Sequence, residues 1–169
     1  KMINPPKLST WYYQMLDYGW NYRASEISCA LGLSQFKRIT KIINRRNVIA
    51  NLYKKNLLNN KFIELPEFSK KNNDKGWHLF QLNISFEELK IKKQEFIKYL
   101  RKHSIGSQVH YIPLVHQPYY SNNKEKRYLI GAEAFYKNTI SIPMYTSLNE
   151  KSIKFISKVI NDYFSKVIL

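Results

Sequence analysis

Between Phe36 and Leu57 apolar residues recur at alternating steps of three and four: Phe36, Ile39, Ile43, Ala50, Tyr53 and Leu57. That spacing gives a helix one apolar stripe, which is stable in water only when it is packed on a partner surface. A chain carrying it is committed to helices laid on a shared core. Arg46 falls inside the stripe, so its charge needs a partner or a route to solvent, and its reading is structural. Just upstream, Ser25 is a good N-cap with Glu26 in the first turn, and Ile27, Ala30, Leu31 and Ser34 share a face. Together they predict a first helix from Ser25 to about Arg38. Leu65-Pro66 ends this helical region, and 69–76 reads as a polar, lysine-rich loop.

The rest of the chain alternates strand and helix patterns. Trp11 to Leu16 is aromatic enough for a short strand, and Trp77 to Ile84 alternates well enough for another. Lys90 to His103 is an amphipathic helix with Ile91, Phe96, Ile97 and Leu100 inward and Gly106 as its stop. Gln108 to Ile112 is a second strand closed by Pro113, Gly131 to Lys137 a short helix, and Thr139 to Ile142 a third strand. Asn149 caps a final helix bearing Ile153, Ile156, Ile160, Tyr163 and Val167. The fold class is therefore α/β. Three strands this short are not stable alone, so they should form one small sheet covered by the helices at Lys90–His103 and Asn149–Ile168.

At 169 residues and 44% hydrophobic, the chain can bury a core as one compact unit, with two small subdomains as the alternative. Its 28 Lys+Arg against 12 Asp+Glu give a formal charge of +16, which points to an anionic partner such as nucleic acid, an acidic membrane or a phosphorylated small molecule. Between Glu26 and Glu64 there is no acidic residue, while Lys37, Arg38, Lys41, Arg45, Arg46, Lys54, Lys55 and Lys61 are basic. Codon bias toward lysine explains such a count equally well. Cys29 is the single cysteine, so no intrachain disulfide can form and a reducing cytoplasm is the default location. On its helix it reads as a small buried hydrophobe. No apolar run approaches the length that spans a bilayer, and Lys1 to Ser9 lacks a signal peptide's apolar stretch. His78, His103, His110 and His116 show no ligand spacing with Cys or carboxylates, which argues against a metal site.

The chemistry-bearing string is Gly19-Trp20-Asn21-Tyr22-Arg23, set just before the Ser25 helix start. It places an amide and a guanidinium, both suited to phosphate oxygens, where free backbone N–H groups and the helix dipole also favour anions. Continued through Ser25-Glu26-Ile27 to Ala30-Leu31-Gly32-Leu33-Ser34-Gln35, it resembles a segment of the DegT/DnrJ/EryC1/StrS family of pyridoxal-phosphate-dependent nucleotide-sugar aminotransferases. The likeness continues in family order to the C-terminus. It includes Arg46, Ala50, Tyr53 and Leu57 at the spacing of the family's long helix, and Trp77-His78-Leu79-Phe80 at the start of a small-domain strand. Ile105 to Pro113 with Gln117-Pro118-Tyr119-Tyr120 follows, then Ala134-Phe135-Tyr136, Thr139 to Pro143 and Leu148-Asn149-Glu150. The central segment is most similar to members that make pseudaminic-acid precursors or related UDP-linked amino sugars.

The resemblance implies the C-terminal small domain of a fold-type I aminotransferase: a short, mainly antiparallel sheet covered by helices, with a long basic connecting helix. Residues 1–23 would be the tail of a large domain and a dimer contact, and 24–169 the small domain. It implies pyridoxal 5'-phosphate as cofactor, a nucleotide-linked keto-sugar and glutamate as substrates, and a homodimer. The family's Schiff-base lysine lies in a Ser-Phe-x-x-x-Lys context that this chain does not contain, so no catalytic residue is assigned and the chain alone is expected to be inactive.

By the resemblance Asn21 contacts the cofactor phosphate of the other subunit; as a residue type it is equally a turn former. Arg23 is either a bidentate fork near the sugar diphosphate or a surface cation beside Glu26. By the resemblance His110 and Tyr111 lie near the substrate mouth of the partner subunit; otherwise they are a hydrogen-bonded histidine and a core aromatic. His78 reads as structural and His116 receives no role, being one position out of the family pattern. The competing reading is a basic nucleic-acid-binding module, supported by the charge and by 15% aromatic content. Against it, Tyr53, Phe96, Tyr163 and Phe164 sit on stripes that read as core. The aromatics Trp11, Tyr12, Tyr13, Tyr18 and Trp20 find few partners in this chain and should be exposed, disordered or covered by another chain.

Overall fold

The computed structural model describes residues 22–68, 76–116 and 129–167. The expected strand at Trp11–Leu16, Asn21 and the aromatics from Trp11 to Trp20 lie outside them. The chain divides into two compact units, 1–37 and 38–169.

The first unit contains α1 (Glu26–Phe36). Ser25 caps it as expected, its hydroxyl accepting from the Ser28 N–H at 3.2 Å. None of its residues is buried, and Ile27, Leu31, Leu33 and Phe36 are all exposed. Cys29 is exposed too, which corrects its reading as a buried hydrophobe. The apolar residues lie on opposite sides of α1, and burial of such a helix depends on what covers it.

The second unit runs α2 (Ile39–Leu57), β1 (Phe80–Asn83), α3 (Lys93–Lys102), a short 3-10 turn (Leu114–His116), α4 (Ile130–Asn138), β2 (Thr139–Ile142) and α5 (Glu150–Val167). The α2 stripe packs on α5 through Ile49, Ala50, Tyr53 and Leu57, all fully buried. It is shorter than the sequence predicts: Phe36 belongs to α1, and Ile39 in the first turn of α2 is 42% exposed. Arg45 donates to the carbonyl oxygens of Thr146, at 3.1 Å, and Leu148, just ahead of α5. Near the other end, Asn161 donates to Asn56 O at 3.1 Å and accepts from Asn60 at 2.8 Å. The two helices therefore run side by side in the same direction. Asn149 caps α5 as expected, accepting from the Ser152 N–H at 2.8 Å. Phe96 of α3 closes the core against Tyr163 and Phe164, with ring centroids 4.8 and 5.5 Å away.

β1 and β2 are antiparallel, with Phe80 opposite Ile142, Gln81 opposite Ser141, Leu82 opposite Ile140 and Asn83 opposite Thr139. Directly paired residues share a face. Phe80, Leu82, Ile140 and Ile142 therefore enter the core, and Gln81, Asn83, Thr139 and Ser141 make a polar face.

Two strands replace the expected three, and each outer neighbour is a single bridge, Glu64 to Asn83 and Gln108 to Ser141. The strand predicted from Trp77 starts only at Phe80, because the carbonyls of Trp77 and His78 accept from the Arg46 guanidinium, at 2.7 and 3.3 Å. Arg46 is thus structural, with carbonyls as its partners. The strand predicted over Gln108–Ile112 stops after one bridge; β2 is four residues long, and Pro113 carries no N–H to extend a ladder. The helix predicted from Lys90 begins at Lys93, since Lys90 has φ +55. Its stop is Ser104, at φ +59, and not Gly106: Ser104 N–H bonds Arg101 O and Ile105 N–H bonds Leu100 O, the paired bonds of a Schellman end.

Candidate functional site

The polar face of the small sheet is where the chemistry-bearing side chains of the second unit gather. Thr139 and Ser141 point away from the core, yet are only 4% and 5% exposed. Gln108 fixes the backbone of Ser141 in both directions: its N–H donates to Ser141 O at 3.1 Å, and it accepts from Ser141 N–H at 2.8 Å. Two residues on, the His110 ring folds onto β2, with Nδ1 at 2.8 Å from Ser141 Oγ. Tyr111 meets that ring edge to face at 4.7 Å and is 74% exposed. The core-aromatic reading of Tyr111 therefore falls, and His110 is a hydrogen-bonded histidine at the border between sheet and solvent.

The same face continues into a cavity of about 380 Å³ lined by Gln81, Asn83, Thr139, Glu64, Glu67 and Phe135 among others. Asn83 Nδ2 donates to Glu64 Oε2 at 2.6 Å across it. A second cavity, of about 460 Å³ on the other side of α4, is lined by Glu87, Glu88 and Glu133. Five of the chain's 12 carboxylates thus surround α4, so its +16 charge is not spread evenly. Lys137 also lines the second cavity, whereas the residues lining the first include Glu64 and Glu67 and no cation, so an anionic ligand group is disfavoured in the first.

His116, left without a role by the sequence, meets Glu133 at 2.5 Å, and Glu133 is 6% exposed. Nothing in the spacing signals this pair, since 17 residues separate its members. His78 is exposed, and its carbonyl serves Arg46. Lys93 is half-buried at the end of α4, where its amine donates to Tyr136 O at 2.5 Å, and burial lowers its pKa to about 8. Among the described residues no group of three His, Cys, Asp or Glu could hold a metal. No helix there is long and apolar enough to cross a membrane.

In the first unit Arg23 is exposed, two residues ahead of the Ser25 cap. The structure thus sets His110 against Ser141 of β2 with Tyr111 beside its ring, and Arg23 belongs to the other unit. Asn21 lies outside the described residues.

The family model described as the DegT/DnrJ/EryC1/StrS aminotransferase family matches residues 4–161. This chain belongs to that family. Among its relatives, the UDP-4-amino-4,6-dideoxy-N-acetyl-beta-L-altrosamine transaminase of Campylobacter jejuni is 32% identical over 95% of this chain and 42% of its own length. A spore coat polysaccharide biosynthesis protein of Bacillus subtilis is 29% identical over 90% of this chain and 40% of its own. Among solved structures, the Helicobacter pylori aminotransferase involved in pseudoaminic acid biosynthesis superposes with a TM-score of 0.81 at 27% identity. That match covers 95% of this chain and 43% of the other. The chain therefore spans about two fifths of the length of these relatives, and its fold is that of part of a fold-type I aminotransferase.

Aminotransferases of this family use pyridoxal phosphate, and one of the similar solved structures is described as a PLP form. Lys93, whose pKa burial lowers, has its amine held against the Tyr136 carbonyl and ring.

Proposed function

We propose that this chain is the C-terminal, substrate-facing portion of a pyridoxal-phosphate-dependent aminotransferase that moves an amino group from glutamate to a keto-sugar carried on a nucleotide. Such an activity supplies amino sugars for cell-surface polysaccharides or glycans. The reading rests above all on the family match, which runs through nearly the whole chain. The C. jejuni relative named as a UDP-sugar transaminase favours a UDP-linked substrate.

In this reading 1–23 closes a large domain and contacts a second subunit, Asn21 reaches the cofactor phosphate, and Arg23 faces the sugar diphosphate. The crowding of carboxylates around α4 supports assigning the anionic groups to the Asn21–Arg23 end and the sugar to His110 and Tyr111. The exposed apolar sides of α1 would be covered by the large domain and the second subunit. The enzyme would work in the cytoplasm, where nucleotide sugars are made.

Against the nucleic-acid reading, Tyr53, Phe96, Tyr163 and Phe164 are buried in the core and so are not available to stack on bases.

The test is to incubate the chain with pyridoxal phosphate, reduce with borohydride and map the label. Scattered, substoichiometric labelling of lysines is expected, with no amino transfer from glutamate. One stoichiometric adduct on a single lysine would overturn the assignment of the cofactor-bearing lysine to a part this chain does not contain.

A further inference from the structure

We propose that Ser141 is a positioning residue: its buried hydroxyl fixes both the orientation and the tautomer of His110, so that the ring offers an Nε2–H donor to an uncharged acceptor oxygen on the sugar. The sugar half of this statement rests on the aminotransferase reading; the positioning half does not.

The direction of the bond follows from counting donors. Ser141 Oγ carries one proton and is buried, and the partner found for it is His110 Nδ1 at 2.8 Å. If the hydroxyl accepted from an Nδ1–H, its own proton would be left in a buried site without an acceptor, which costs more than an unused lone pair. With Ser141 donating, Nδ1 is the acceptor and the ring proton resides on Nε2. No hydrogen bond to Nε2 is found among the described residues.

The hydroxyl is itself rigidly placed. β2 pairs Ser141 with Gln81 on one side, and Gln108 bonds both its backbone groups on the other. Tyr111, edge-on at 4.7 Å, limits the ring from a second direction. The contrast with His116 is informative, because that ring is held by the Glu133 carboxylate. A serine adds no charge, so His110 is oriented as a hydrogen-bond donor and not as one half of an ion pair. The acceptor it faces is uncharged for a related reason: the polar sheet face beside it leads to Glu64 and Glu67, which disfavour a diphosphate.

Histidine-labelled chain, followed by long-range nitrogen–proton NMR, tests both halves. In the unaltered chain His110 should show the Nε2–H pattern. Ser141→Ala should shift it toward the mixed tautomers of a free imidazole, and Ser141→Thr, which keeps the hydroxyl, should restore it. Circular dichroism must show both variants folded; should the alanine variant unfold, the threonine variant and the tautomer of the unaltered chain decide. An Nδ1–H pattern in the unaltered chain, or no change in Ser141→Ala, overturns the positioning role. In a protein that carries the large domain, UDP-N-acetylglucosamine should then move the His110 Nε2 signal at least several-fold more than UDP does. Equal shifts would mean a diphosphate contact and overturn the sugar assignment. A tautomer change with no response to the sugar nucleotide would overturn the substrate reading and leave the positioning intact.

Discussion

At the scale of single residues, two buried or half-buried groups tie stability to pH with opposite signs. Tyr53 is fully buried, its hydroxyl donates to Pro143 O at 2.9 Å, and burial raises its pKa. The folded state holds the neutral phenol, so its contribution is intact below the ordinary tyrosine pKa of about 10 and is lost as pH climbs beyond it. Tyr53→Phe should cost about 1–3 kcal/mol in urea unfolding at neutral pH, the price of an unpaired carbonyl. The same variant should show less loss of stability above pH 10 than the unaltered chain. For Lys93, desolvation lowers the pKa from 10.5 to about 8, so folding disfavours its charged form. Its contribution is least favourable below pH 8 and improves between pH 8 and 10.5. Lys93→Met should remove that rise, and comparing urea midpoints at pH 7 and pH 9.5 reads it directly. A midpoint difference unchanged by the substitution would mean that the amine is solvated in both states.

The elements record which signals in the sequence were local enough to read. Ser25 and Asn149 cap their helices as expected and β2 covers Thr139 to Ile142 as expected, because a cap and a short apolar run carry their instructions within a few residues. Gln108–Ile112 has a strand's pattern but forms one bridge, since strand formation there depends on how much of β2 is available as a partner, which no residue in that stretch encodes. The end of α3 departs from its expected place for a different reason. Gly106 is the residue best suited to a left-handed turn, but the chain turns at Ser104, where Ile105 can fall back on Leu100, both of them buried. This makes a paired prediction. Ser104→Gly should stabilise by about 0.5–1 kcal/mol by relieving a non-glycine left-handed residue. Gly106→Ala, with nothing within 4 Å of the added carbon and no positive φ, should be close to neutral in the same denaturation assay. In the candidate site, His110 and Tyr111 were legible through family likeness. The contacts of Ser141 with His110 and of His116 with Glu133 were not, because they join residues 31 and 17 positions apart and no local spacing encodes them.

For the molecule as a whole, α1 is the feature that burial rules handle least well. Ile27, Leu31, Leu33 and Phe36 are between 58% and 83% exposed, although the helix is well capped. Replacing Leu33 and Phe36 by Asp should therefore leave the unfolding midpoint of the 38–169 unit within about 0.5 kcal/mol, as is usual for exposed sites. In a protein that carries the large domain, the same pair should weaken subunit association, measurable by sedimentation. Unaltered association would leave those side chains without a role. The long reach between α2 and α5 bears on how the protein is made. Arg45 bonds carbonyls 101 and 103 residues further along, and Asn56 O is met by Asn161 only after 105. A ribosome adding about 5–20 residues per second needs on the order of 5–20 s to cover that distance. Until α5 emerges, the greasy side of α2 that packs on it stays open to chaperones and to neighbouring nascent chains. Slow codons between α2 and α5 should accordingly lower soluble yield more than the same codons placed ahead of α2.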